Sequence, residues 1–232
     1  MKRIICLFLM LTLLLSSIGA SAAGKLSVDQ ENFHVVSGYW TYGYAYAKVS
    51  NTGDKPIKVN AGILEIYDKA GDVITSQDYM SSYAEYLQPG EYTYIKISDE
   101  IKDADKGIVA ADYMLTITGK SSTSKISKRL PVKTDLELNV QSGWWTYNYM
   151  YVTITNNTEA PIYGIDVVIA LLDADGNILY IDDDSLTSSR ALTPGSSIII
   201  REDISSSFID YFADNNLIPV TVDAIAYINI DM

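Results

Sequence analysis

Ser37-Gly38-Tyr39-Trp40-Thr41-Tyr42-Gly43-Tyr44-Ala45-Tyr46 recurs 105 residues later as Ser142-Gly143-Trp144-Trp145-Thr146-Tyr147-Asn148-Tyr149-Met150-Tyr151. The following turns keep the offset without a gap. Asn51-Thr52-Gly53-Asp54-Lys55-Pro56-Ile57 matches Asn156-Asn157-Thr158-Glu159-Ala160-Pro161-Ile162, and Leu87-Gln88-Pro89-Gly90 matches Leu192-Thr193-Pro194-Gly195. Whatever the first copy folds into, the second must resemble. An offset of this length is that of an ordinary domain, and 232 residues suffice for two cores of that size. The repeat therefore predicts two units, residues 25–131 and 132–232.

Each unit reads as antiparallel strands. Gly43, Ala45, Ala47 and Val49 point one way, and Tyr42, Tyr44, Tyr46, Lys48 and Ser50 the other. In the second copy Met150, Val152 and Ile154 form the apolar row opposite Tyr147, Tyr149, Tyr151, Thr153 and Thr155. This parity places three tyrosines per unit on the wetter face of a strand. Trp40 and Trp145 fall at the corner before it, where they are expected to close one end of each core. Asp68-Lys69-Ala70-Gly71-Asp72 and Asp173-Ala174-Asp175-Gly176-Asn177 read as hairpin turns, and each Pro-Gly pair as a type II turn, whose second central residue needs a positive φ.

Val109–Thr118 and Val220–Ile230 match as the last strand of each unit at an offset of 111, which implies six inserted residues near 205–216. There Phe208, Ile209, Tyr211 and Phe212 could share one face of a short helix. Gly119 to Lys125 has the small, polar composition of a linker, and Lys120, Lys125, Lys128, Arg129 and Lys133 read as a solvated stretch or a lysine-protected edge strand.

Lys2 and Arg3, the apolar run Ile4 to Leu15 and Ala20-Ser21-Ala22 have the three parts of a signal peptide over residues 1–22. The run is shorter than the about 20 residues a membrane span needs, so no membrane insertion is expected after cleavage. The single cysteine, Cys6, lies inside that leader, and the exported chain is expected to hold no disulfide and no thiolate metal site. A net charge of −12 opposes contact with nucleic acid.

Candidate chemistry is sparse. Hydrolytic triads commonly use a histidine base, and His34 is the sole histidine, with no match in the second copy. It reads as a partly buried or edge histidine. In the segment starting at Asp173 the glycine comes three places after the first acid, where a calcium loop needs it five places after, so this is a turn first. Asp182-Asp183-Asp184 reads as a solvated acidic corner. No catalytic residue, metal site or cofactor is expected. Tyrosine outnumbers phenylalanine 18 to 4, which favours rings placed half in water. Tyr42, Tyr44, Tyr46, Tyr147, Tyr149 and Tyr151, with Trp40 and Trp145, are the candidate ligand-binding residues. The competing reading is that the tyrosines pack across strands or against the other unit.

Asn51-Thr52-Gly53 with Pro56-Ile57, Leu64-Glu65-Ile66-Tyr67-Asp68 and Leu87-Gln88-Pro89-Gly90-Glu91 together resemble the FxLYD domain of bacterial envelope proteins, over most of the first unit. Leu64 stands where the family has Phe and Ile66 where it has Leu. The second unit reads Ile169-Ala170-Leu171-Leu172-Asp173, without the tyrosine. These are core substitutions of similar size. The resemblance implies an immunoglobulin-like sandwich acting as an accessory extracellular module, and it supplies no catalytic residues.

The expectation is an all-β chain of two tandem immunoglobulin-like antiparallel β-sandwiches after a signal peptide. Its expected role is non-enzymatic, binding or presenting an extracellular protein or glycan at a bacterial surface. Alternatives are a carbohydrate-binding module using exposed tyrosine rows, or a structural spacer or self-assembling envelope component.

Overall fold

A computed structural model describes residues 24–81, 83–122, 124–186 and 189–231 of the chain. The expected leader, including Cys6, lies outside the described residues. The first half contributes β1 (Leu26–Ser37), β2 (Thr41–Asn51), β3 (Ile57–Tyr67), β4 (Val73–Gln77), β5 (Tyr86–Leu87), β6 (Tyr92–Glu100) and β7 (Asp112–Ser121). The second contributes β8 (Lys125–Leu130), β9 (Val132–Ser142), β10 (Trp145–Thr155), β11 (Ile165–Leu172), β12 (Ile178–Leu186), β13 (Ser197–Asp203), α1 (Ser206–Asp214) and β14 (Thr221–Asp231).

The strands form four antiparallel sheets. Sheet A is β1-β2-β6; sheet B is β4-β3-β5, with β7 also paired to β3; sheet C is β12-β11-β14-β8; and sheet D is β13-β10-β9. β6 lies against β3 and β4, β11 and β12 lie against β6, and β14 lies against β9, so the layers run B-A-C-D. The all-β sandwich expectation holds.

The alternation sets the inner faces. Ala45, Ala47 and Val49 on β2 and Leu64 and Ile66 on β3 are buried, as are Met150, Val152 and Ile154 on β10 and Ile169 and Leu171 on β11. Leu64 and Ile66, in Leu64-Glu65-Ile66-Tyr67-Asp68, are thus inward-facing.

One buried residue per half ties the turns together. Asn51 Nδ2 donates to the carbonyls of Lys55 (2.8 Å) and Leu87 (3.0 Å), and its Oδ1 accepts from the Gly53 N–H (3.0 Å). Asn156 repeats this with Ala160 (2.9 Å), Leu192 (2.7 Å) and the Thr158 N–H (2.9 Å). Both side chains are fully buried. The backbone N–H groups of Gly90 and Gly195 in the two Pro-Gly turns donate to the Asn51 and Asn156 carbonyls, and both glycines have positive φ. The Asn-turn and the Pro-Gly turn form one hydrogen-bonded unit, which explains why both recur at the same offset.

Three features differ from the sequence reading. Lys125–Leu130, grouped with the first unit by its position, pairs with β14 and forms the edge of sheet C. Of the segment read as a linker, residues 119–121 belong to β7 and Lys125 opens β8, and Ser122 directly after β7 is buried. The pairings Leu64↔Leu115 and Ile169↔Ala224 put the last strands at an offset of 109, so four residues are inserted and not six. A slip of two leaves every side chain on its own face, so the apolar pattern alone fits both registers.

Candidate functional site: an aromatic-tipped end

The two tyrosine rows have different fates. In the first half, Tyr46 is 0% exposed and Tyr44 and Tyr42 are partly buried, because sheet C and α1 lie over the outer face of sheet A. Tyr44 meets Phe208 edge-on at 4.9 Å, Phe208 meets Tyr180 at 4.6 Å, and Tyr180 meets Tyr46 at 6.4 Å. Burial raises the Tyr46 hydroxyl well above its usual pKa. This row holds the two halves together, as the packing reading anticipates.

Polar contacts fix the halves further. Tyr92 and Tyr94 both donate to Asp223 Oδ2, at 2.8 and 2.7 Å. Lys96 Nζ lies 2.9 Å from Asp182 and 3.6 Å from Asp183, and Tyr180 donates to Asp182. The corner read as solvated therefore grips the first half through Lys96. Beside it, burial and then the charges of Asp182, Asp184, Asp203 and Asp183 push the Glu202 carboxyl up to about 7.

In the second half no other sheet or helix of the described residues overlies the row. Tyr147 and Tyr149 stack at 5.6 Å with planes 7° apart, Tyr149 meets Tyr151 at 5.9 Å, and the Arg201 guanidinium sits 4.6 Å over the Tyr149 ring. Tyr149 is only 9% exposed. Tyr147 and Tyr149 spend ring faces on each other and Arg201 covers Tyr149, which leaves little free face for a sugar.

The tryptophans depart from expectation. Trp40 is 58% exposed and Trp145 70%, with Tyr39 at 91% and Trp144 at 98% beside them. They close no core. The loop between β1 and β2 is Gly38-Tyr39-Trp40, and that between β9 and β10 is Gly143-Trp144, with Gly143 at φ 63° in the first central position of a two-residue hairpin. Side chains on such tips extend past the last strand pair and have no facing sheet. Both tips leave the molecule at the end where α1 begins. A Cβ on Gly38 would lie 3.5 Å from that of Ser207, and the Ile204 N–H donates to the Asn148 carbonyl at 2.8 Å. All three tryptophans of the chain are thus at one end. Next to Trp40 a groove of about 600 Å³ is lined by Tyr39, Trp40, Glu100, Ile101, Asp103 and Lys106. Sequence parity could identify the rows but not which was covered. The signal that marked the tips was the glycine preceding each aromatic pair.

The remaining candidates are structural. His34 is buried, its Nδ1 lies 3.1 Å from the Tyr211 hydroxyl, and burial lowers its pKa. Asp173 accepts from the N–H groups of Asp175 (2.9 Å) and Asn177 (2.8 Å) and from Asn177 Nδ2, which makes it the organiser of the β11–β12 turn. Asp68 does the same for β3–β4 through Ala70 and Asp72.

No family model matches the chain, and no curated protein matches it. Among solved structures, it is similar to a red sea bream transglutaminase at 12% identity, over 80% of this chain and 27% of that one, with a TM-score of 0.25. The chain thus spans about a quarter of that protein's length, and a likeness so low carries no argument about fold or activity.

Proposed function

We propose that this chain is an exported, non-enzymatic binding module that contacts an extracellular partner, a protein or glycan of the bacterial surface, through its aromatic-tipped end. The observation that carries this reading is the gathering of Trp40, Trp144 and Trp145, with Tyr39, on two exposed hairpin tips beside a groove. Holding large indoles in water gains nothing for folding, whereas an indole is a strong anchor once a partner covers it. The groove adds Glu100, Asp103 and Lys106, polar groups that would orient what the rings hold. Two further facts support the reading. The sole histidine is buried against Tyr211, away from a base's role, and the resemblance of Leu64-Glu65-Ile66-Tyr67-Asp68 and its flanking turns to FxLYD domains fits an accessory envelope module. The tyrosine row of the first half is left with a structural part.

Tryptophan emission tests this directly. Titration with bacterial cell-wall glycan and with solubilised envelope protein should give a saturable blue shift with one of them, lost in the Trp40→Ala, Trp144→Ala, Trp145→Ala variant as scored by co-sedimentation. Binding of equal strength by that variant, or no binding to either preparation, overturns the reading.

A further inference from the structure

We infer that the uncovered tyrosine face of sheet D is a docking surface for the outer face of sheet B of a second copy of this chain, producing open head-to-tail assembly. This surface differs from the aromatic tips and does not depend on what they bind.

The repeat supplies both surfaces. The 105-residue offset carries β2 onto β10 and β6 onto β13, so sheet D is the counterpart of sheet A. It likewise carries β3 onto β11 and β4 onto β12, so sheet B is the counterpart of sheet C. Within one chain, sheet C covers the tyrosine face of sheet A. The layers run B-A-C-D, which leaves the two counterpart faces, one on B and one on D, at opposite ends of the stack. Repeating the internal contact between chains places B of one copy on D of the next, and the stack continues through the new copy.

Chemistry has been kept on both faces. Sheet D retains all three tyrosines of the row although no other sheet or helix among the described residues covers it. It also retains a cation at the counterpart of Lys96, namely Arg201, cross-strand from Tyr151 as Lys96 is from Tyr46. Ile199, the counterpart of Tyr94, is 64% exposed, so an apolar side chain stands at the equivalent place on this face. On sheet B, Ile63, Met114 and Val73 are exposed, and Ile63 is the counterpart of Val168, which is buried on sheet C. The ion pair transfers too. Lys96 pairs with Asp182 and Asp183, whose counterparts are Gln77 and Asp78, and Asp78 is exposed. An Arg201–Asp78 pair between copies therefore stands where Lys96–Asp183 stands within one.

The intermolecular contact is the weaker of the two. Sheet B carries Glu65 and Ser76 where sheet C has Ala170 and Ile181, and the first half has a single 3-10 turn, Ala104–Lys106, where the second has α1. No covalent connection raises the local concentration either. The association belongs to the weak, reversible class. Because B and D are different surfaces the contact is heterologous, so it does not close at a dimer unless the rotation happens to close a ring.

Sedimentation equilibrium of the chain as the expressing cell processes it, from about 10 µM to about 1 mM, reads this out. The expected result is a weight-average mass that climbs past the dimer with concentration. Arg201→Asp and Asp78→Arg should each lower the association constant about tenfold or more, and the two together should restore it. Both positions are exposed, and unchanged circular dichroism and melting show that the variants fold. A strict monomer throughout, a mass that stops at the dimer, or association indifferent to both single substitutions overturns the proposal.

Discussion

Replacing Asn156 by alanine tests whether the repeated turn motif is held as the geometry implies. The side chain is fully buried, makes two Nδ2–H···O=C bonds, to Ala160 and Leu192, and accepts from the Thr158 N–H and from the Thr158 hydroxyl, which keeps the Ala160 carbonyl as a partner once the side chain is removed. The Leu192 carbonyl also accepts from the Ile162 N–H at 3.0 Å, so it keeps a partner after the substitution. The three bonds other than the one from the hydroxyl, at about 1 kcal/mol each and with little added for the small cavity, give a loss of about 3 kcal/mol. For a cooperative unit of this size that corresponds to about 6–12 °C in Tm. Urea denaturation followed by far-ultraviolet circular dichroism measures it, with Asn157→Ala as the exposed control, expected within about 0.5 kcal/mol of wild type. Asn51→Ala should behave alike, because its three bonds are the same three. A loss below about 1 kcal/mol at Asn156 would refute the view that this side chain, and not the apolar strands alone, fixes the turn.

Two other outcomes follow from burial. Glu202 titrates near 7 in the folded chain against 4.5 for an ordinary glutamate, so between those values the unfolded chain gives up a proton that the folded one keeps. Stability from this group is present below about pH 4.5 and lost as pH rises through about 7. Glu202→Gln should therefore match wild type at pH 4 and be more stable at pH 8 by about 1 kcal/mol, a figure reduced from the full linkage value because the group is only partly buried; equal stabilities at pH 8 would count against burial beside the acidic cluster as the cause. Separately, all three tryptophans are already in water, so unfolding in urea should scarcely move the emission maximum while circular dichroism collapses. A large red shift would mean that the indoles sit in a core after all.

Much of the fold is legible because repeats and parity are local. Gly43, Ala45, Ala47 and Val49 declare an inward face whatever lies around them, and Pro89-Gly90 and Pro194-Gly195 declare turns through backbone geometry alone. The last-strand register was not legible, since offsets of 109 and 111 bury the same faces. Assignment of Lys125–Leu130 also failed, because a strand's partner is settled by long-range pairing with Thr221–Asp231 and not by its own residues.

The site shows the same division. The sequence by itself determined that two tyrosine rows and two aromatic corners exist, because alternation and the glycines before each corner are properties of a single strand and a single turn. Only the tertiary structure decided that sheet C covers one row and leaves the other open, and that the tryptophans stand outside both cores. Exposure is a property of neighbours, and the neighbours of Tyr46 include Tyr180, 134 residues further along the chain, while those of Trp144 are mostly water.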